Sequence, residues 1–268
     1  MERCTKDHET LVTSELDTIL WTAHTRENLI GTLTITASRI LLLISRSMET
    51  FTEQIPTRRQ AQEDLIKEIA KLHKPLIIVY IEGRPLLNNT ANEVANAILT
   101  AFYPGEQGGN AIADVIFGNY NPAGRLPISQ PRNTGQIPIY YSQPKPHNYL
   151  ECESSPLFCF GYGLSYTDFE YKNLIINKLD KEIEVSIDVT NIGEHDGDEV
   201  VQLYLRDEYA TITPAEKLLK GFKRVFIQKD DTQHVTFTIP TQNLESGEFT
   251  IMVGASSDDI RLKEKIVI

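Results

Sequence analysis

Tyr103-Pro104-Gly105-Glu106-Gln107-Gly108-Gly109-Asn110-Ala111-Ile112-Ala113-Asp114-Val115-Ile116-Phe117-Gly118-Asn119-Tyr120-Asn121-Pro122-Ala123-Gly124-Arg125-Leu126-Pro127 is the stretch whose reading decides the fold. Its parts have separate physical jobs in a fixed order. Pro104 and Gly105 make a turn, and Gly108-Gly109 let the backbone bend tightly before a helix. Ala111, Ile112, Val115 and Ile116 then fall at helical spacing, which predicts a short amphipathic helix that stops at Gly118. Asn121-Pro122-Ala123-Gly124 is a second turn, and Arg125-Leu126-Pro127 leads into an extended segment.

Upstream, Ile40-Leu41-Leu42-Leu43-Ile44 is a continuous apolar run of strand length, the type buried on both faces of a parallel sheet. Gln60 to His73 predicts a helix with Ala61, Leu65, Ile69 and Leu72 on one stripe. Leu76 to Ile81 is a second buried strand, and Glu93 to Thr100 runs into a third element. Strand, helix and strand at this spacing give an α/β layer with a mostly parallel sheet and flanking helices. Residues 1–36 show no repeat or low complexity and stay unassigned; a helix around Glu9 to Trp21 would put Leu11, Leu16, Ile19 and Leu20 on one side. Downstream, 128–155 is rich in Pro, Gln, Tyr and Asn and reads as a long ordered loop or linker. After Tyr166 the pattern alternates: Ile183, Val185, Ile187 and Val189, then Val201, Leu203 and Leu205, then Val235, Phe237 and Ile239. Short alternating strands separated by turns such as Asn191-Ile192-Gly193 and Ser246-Gly247 predict an antiparallel sandwich. The expected domains are 37–165 and 166–268.

The chain has 268 residues, long enough for two cores, and its 41% hydrophobic and 24% charged content is that of a globular protein. A net charge of −11 argues against a nucleic-acid partner, since no basic stripe would neutralise phosphates. The apolar run Ile40 to Ile44 is too short to span a bilayer, so no membrane partner is expected, and the first residues have no apolar core of a secretory signal. Cys4, Cys152 and Cys159 form no metal pattern; Cys152 and Cys159 could pair, or both could be free buried thiols. The six histidines are scattered without an i,i+4 pair, so no metal or cofactor is expected. No Gly-x-Ser-x-Gly elbow appears, and the glycines at 105, 108 and 109 lack the Gly-Lys-Ser/Thr of a phosphate cradle. Asn88-Asn89-Thr90 is a glycosylation sequon, relevant only on a secretory route.

The opening motif and three further stretches carry a family resemblance. These are Lys74-Pro75-Leu76-Ile77-Ile78-Val79-Tyr80-Ile81-Glu82-Gly83-Arg84-Pro85, then Phe160-Gly161-Tyr162-Gly163-Leu164-Ser165-Tyr166-Thr167, and Asp188 to Arg206 with Gly197-Asp198-Glu199-Val200-Val201-Gln202-Leu203-Tyr204. In this order they resemble the C-terminal part of the family 3 glycoside hydrolases, the β-glucosidase and β-xylosidase type. The first two and the Phe160 segment are similar to the family's α/β sandwich domain, the last to its fibronectin type III-like domain. The likeness runs from about Gln60 to the C-terminus, roughly three quarters of the chain. It implies a retaining O-glycosyl hydrolase of carbohydrate catabolism, with β-linked glucosides, xylosides or short glucans as substrate and an extracellular, lysosomal or vacuolar setting. The missing signal departs from that setting and suggests an N-terminus further upstream, or a chain cut from a longer protein.

Retention requires two carboxylates about 5–5.5 Å apart, one a nucleophile and one an acid/base. In the family the nucleophile is an aspartate on an N-terminal (β/α)8 barrel, and the acid/base is a glutamate lent by the sandwich domain. A barrel takes about 250 residues and does not fit in this chain, so it is expected in cis upstream. The resemblance places the acid/base in the loop after the first buried strand: Phe51-Thr52-Glu53 makes Glu53 the candidate, with Glu49 as alternate. Ser45-Arg46 follow that strand where relatives usually carry Gly-Glu, and the competing reading of both residues is a solvated loop glutamate. Glu82, at the end of a buried strand, is either a ligand-side carboxylate or a structural partner of Arg84. Glu106 could cap the following helix or touch a sugar. Tyr103, Tyr140, Tyr141 and Tyr149 could stack on a sugar or close loops over the core. A second class of function, a non-catalytic carbohydrate-binding or interaction module, fits the same domains; a third reading joins a partial hydrolase to unrelated coding sequence.

Overall fold

The structure is a computed structural model that describes residues 5–6, 9–14, 18–24, 29–35, 40–46, 55–83, 89–144, 153–210, 214–242 and 244–268, with side chains from Gln62 onward except at 134. The chain falls into two compact units, Met1–Ala113 and Asp114–Ile268.

The first unit is built on a seven-stranded sheet in sequence order: β1 (Thr5–Lys6), β2 (Glu9–Ser14), β3 (Thr18–His24), β4 (Leu29–Ile35), β5 (Ile40–Arg46), β6 (Leu76–Glu82) and β7 (Ala97–Thr100). The expected parallel layer is β5–β6–β7, with Ile40 opposite Leu76 and Ile77 opposite Ala97. The crossovers carry α1 (Ile55–Ala70) and α2 (Asn89–Val94), as parallel neighbours require. The sheet is longer than the sequence suggests, because β1 to β5 form an antiparallel meander. Gaps of two to four residues between these strands leave room only for hairpin turns. The helix expected around Glu9 to Trp21 is therefore corrected to β2 and β3. Thr10, Val12, Thr13, Thr18, Ile19 and Thr22 are β-branched, and their χ1 restriction favours the pleated strand over the helix.

The buried stripe of α1 is also shifted from expectation. Gln62, Ile66 and Ile69 are buried, whereas Leu72 is 50% exposed. The helix has ended by then: Leu72 N–H donates to Ile69 O (3.0 Å) and His73 N–H to Ala70 O (3.1 Å), with His73 at φ 51°. Pro75 follows two residues later, where a helix cannot continue. Ile66 and Ile69 pack with Leu76, Ile78, Tyr80 and Ala91 between helix and sheet, each large aliphatic side chain contributing about 1.5–3 kcal/mol. The helix expected from the opening motif is α3 (Gly108–Phe117), and Ile112 is its buried side chain. It closes at Gly118 (φ 81°), where Tyr120 N–H donates to Asp114 O (3.1 Å) in a Schellman-type end.

The second unit is a sandwich of two antiparallel sheets. Its strands are β8 (Phe169–Lys178), β9 (Glu182–Asn191), β10 (Gly197–Asp207), β11 (Leu218–Ile227), β12 (Thr232–Pro240), β13 (Glu248–Gly254) and β14 (Ile260–Val267). One sheet has the order β11-β10-β13-β14, the other β12-β9-β8. Every alternating apolar residue expected to face inward on β9, β10 and β12 lies at 0–6% exposure. Together with Phe249, Ile251 and Val253 they form one core. The segment before β8 is mostly irregular, with a 3₁₀ turn at Thr134–Gln136 and a bridge between Gln130 and Phe158.

Candidate active-site edge and the motif contacts

In an open α/β sheet, ligands gather beyond the carboxyl ends of the parallel strands. Here those ends are Arg46 on β5, Glu82 on β6 and Thr100 on β7, with the Arg46 and Glu82 backbones paired in register. The chain leaves this edge through 47–54, 83–88 and 101–107. Glu49 and Glu53 belong to the first of these connections and lie outside the described residues. Glu82 is described, and it is 1% exposed. By the two-residue period of a strand it shares the helix-covered face of β6 with Leu76, Ile78 and Tyr80. Its suggested partner Arg84 lies outside the described residues.

The connection after β7 is well defined. Ala101 N–H donates to Tyr80 O (2.8 Å) and Glu82 N–H to Phe102 O (3.2 Å), so the β6–β7 ladder runs on past the strand ends. Phe102 (φ 50°) and Gly105 (φ 72°) are both left-handed, and they bracket Tyr103 on an exposed tip. Tyr103 lies against Gly83: a Cβ there would sit 2.7 Å from the tyrosine hydroxyl oxygen and 2.8 Å from ring Cε2. Glu106 is exposed, but the residue at the cap position of α3 is Gln107. Its carbonyl accepts from Ala111 N–H (3.1 Å) and its Oε1 from Asn110 Nδ2 (2.7 Å).

In the second unit, the conserved-order motifs of the sequence meet each other. Arg125 Nη2 donates to Glu199 Oε2 (3.0 Å), with the two side chains 8% and 2% exposed. Glu199 Oε1 accepts from the Tyr171 hydroxyl (2.8 Å). Burial, reinforced by the Glu199 charge, pushes the Tyr171 hydroxyl far above its ordinary pKa, so it stays a donor. Arg261 covers the Tyr171 ring at 4.7 Å. Asn121 bridges its motif to two others: Nδ2 donates to Asp196 O (2.9 Å), while Oδ1 accepts from Ser165 Oγ and Tyr166 N–H (2.8 Å each). Gly161 (φ 80°) fits only as glycine, since a Cβ would lie 2.1 Å from Gln202 Oε1. Gln202 donates to Gly161 O (3.2 Å) and accepts from the Tyr204 hydroxyl (2.6 Å). Asn191, fully buried, accepts from Thr167 Oγ1 (2.6 Å) and donates to His195 O (2.8 Å), fixing the Asn191-Ile192-Gly193 turn. These motif residues are structural, a role that spacing alone does not reveal because the partners are tens of residues apart.

The other candidates separate cleanly. Tyr141 stacks on Phe160 with centroids 4.4 Å apart, and its hydroxyl accepts from Leu219 N–H (3.3 Å), so it closes a loop. Tyr140 is 62% exposed, and Tyr149 lies outside the described residues. Cys159 is a free buried thiol, its sulfur 3.3 Å from Ser256 Oγ; Cys152 lies outside the described residues. Among the described residues no group of three His, Cys, Asp or Glu could hold a metal ion, and no helix is long and apolar enough to cross a membrane.

Comparison with known proteins agrees with this architecture. The glycosyl hydrolase family 3 C-terminal domain matches residues 16–166, and a fibronectin type III-like domain matches 199–257. A periplasmic beta-glucosidase of Salmonella typhimurium is 37% identical, over 75% of this chain and 30% of its own length. A beta-xylosidase of Formosa agariphila is 41% identical, over 75% of this chain and 31% of its own length. The crystal structure of a beta-glucosidase from Listeria innocua in complex with gluconolactone superimposes with TM-score 0.79 at 30% identity, covering 86% of this chain and 36% of that one. The chain thus spans about a third of the length of the proteins it matches. With its sheet, its sandwich and its motif contacts all accounted for, the chain belongs to glycosyl hydrolase family 3, as that family's C-terminal domain followed by a fibronectin type III-like domain.

Proposed function

We propose that this chain is the C-terminal portion of a retaining glycosidase that hydrolyses β-glucosides, β-xylosides or short β-glucans. The observation that carries the reading is the connection 47–54, which leaves the carboxyl edge of the parallel strands in a chain of this family. Glu53 is the acid/base, with Glu49 as alternate. A carboxylate nucleophile attacks the anomeric carbon while Glu53 gives its proton to the glycosidic oxygen, and the C–O bond breaks to release the alcohol. Glu53, now a carboxylate, takes a proton from water as the water oxygen attacks the anomeric carbon; the bond between that carbon and the nucleophile carboxylate breaks, and the sugar leaves with its configuration retained. The nucleophile comes from a barrel domain in cis, so the 268 residues alone are inactive. The periplasmic name of the Salmonella relative supports a setting outside the cytoplasm.

The test uses the longest native product that carries this sequence. Glu53→Gln is expected to lower kcat on cellobiose by about 10²–10⁴-fold, and azide is expected to restore turnover of an aryl β-glucoside bearing a good leaving group. Unchanged kcat in Glu53→Gln and in Glu49→Gln overturns the assignment. A second reading, a non-catalytic carbohydrate-binding module, is favoured by Ser45-Arg46 at the end of β5 in place of the family's Gly-Glu. It requires glycan binding by the native product without any turnover.

A further inference from the structure

We propose that Tyr103 is a sugar-stacking platform at the carboxyl edge of the parallel strands, a positioning contact for a pyranose ring of the substrate. The inference rests on the glycosidase reading and adds a binding residue to it. Tyr103 is 58% exposed, although an aromatic ring of this size would ordinarily be tucked into the core. It is held in the open by its surroundings. The ring lies against the bare backbone of Gly83, and Phe102 (φ 50°) and Gly105 (φ 72°) fix the tip on either side. Pro104 is locked in turn, since a Cβ at Gly108 would meet Pro104 Cγ at 2.5 Å.

A flat ring backed on one side and open on the other suits the apolar C–H face of a sugar. The exposed Glu106 three residues on offers an acceptor for hydroxyl groups, which beside the ring gives a mixed apolar and polar surface. Because the backing residue is a glycine, the ring can sit close to the end of β6. A single ring flanked by polar residues favours a sugar over a protein partner, which needs a contiguous apolar patch.

The test measures binding of cellobiose and xylobiose to the full 268-residue chain by saturation-transfer NMR, with thermal unfolding recorded for each variant. Tyr103→Ala is expected to raise Kd by about tenfold at unchanged Tm, while Tyr103→Phe stays within about twofold. Gly83→Ala, whose methyl group would collide with the Tyr103 ring and push it off its seat while leaving Tyr103 itself in place, is expected to weaken binding in the same direction. Equal binding by Tyr103→Ala and wild type overturns the proposal, as does a folded wild-type chain that binds neither disaccharide. So does a Tyr103→Ala chain that keeps its sugar affinity but loses association with another protein domain. Glu53-dependent turnover in the native product with unaltered binding in Tyr103→Ala would remove this inference and leave the glycosidase reading standing.

Discussion

Glu199 is 2% exposed, and its charge is matched by Arg125 at 3.0 Å and by the Tyr171 hydroxyl at 2.8 Å. Removing one member of a buried pair strands the other, which costs about 3–5 kcal/mol. Glu199→Gln keeps the shape and is expected to destabilise the second unit by about 3 kcal/mol, and Tyr171→Phe by about 1.5 kcal/mol; urea unfolding monitored on the sandwich reads both. Asp188 is the half-buried counterpart. The Asn173 amide (2.7 Å) and then His234 Nδ1 (2.8 Å) hold its carboxyl below the usual carboxylate range. The folded pKa therefore lies below the unfolded one, so the stabilisation is complete above the ordinary carboxylate range and fades as pH falls through the depressed folded value. Asp188→Asn is expected to cost less than about 1 kcal/mol at neutral pH and nothing once the wild-type carboxyl is protonated. Urea midpoints at neutral and strongly acid pH check this; a cost that persists in acid contradicts it. At this scale the sequence is only half legible. It shows that Glu82 ends a buried strand, but its 1% exposure comes from the packed helix face, which no local pattern spells out. The choice of Glu53 rests on family order alone, since nothing local in the sequence separates it from other loop glutamates.

The sandwich strands were legible because each buries one face, so Ile183, Val185, Ile187 and Val189 must alternate with polar neighbours. The parallel strands were legible for the opposite reason: β5 and β6 open on continuous apolar runs, Ile40–Ile44 and Leu76–Ile81, as strands of a covered parallel sheet do. The N-terminal hairpins were not. Leu11, Leu16, Ile19 and Leu20 can be placed on one side of a helix, and only strand pairing, such as Leu11 with Trp21 and Val12 with Leu20, decides for β2 and β3. Over so short a span, apolar periods do not discriminate, and tertiary pairing overrides local preference. For α1 the stripe was right in part. Leu65 and Ile69 pack in the cluster as expected, but Leu72 lies past a helix that stops at Ala70, and Ile66, outside the expected stripe, is fully buried.

The two compact units divide at Ala113 and Asp114, inside α3, whereas the sequence pattern changes at Tyr166. The difference has a physical source: residues between these points are tied to the sandwich by Arg125 to Glu199, Asn121 to Asp196 and Gln202 to Gly161. Such pairings join residues 74, 75 and 41 positions apart in sequence and leave no local trace to be read. At the scale of the whole molecule, the proposal is that this chain supplies the acid/base of a catalytic pair but not its nucleophile. It is tested most directly by assaying the purified, cooperatively folded 268-residue chain against 4-nitrophenyl β-D-glucoside and β-D-xyloside, beside its Glu53→Gln variant. The account expects no turnover above the variant's level with either substrate. Hydrolysis by the chain alone that Glu53→Gln abolishes would contradict it, because both carboxylates would then have to lie within these residues.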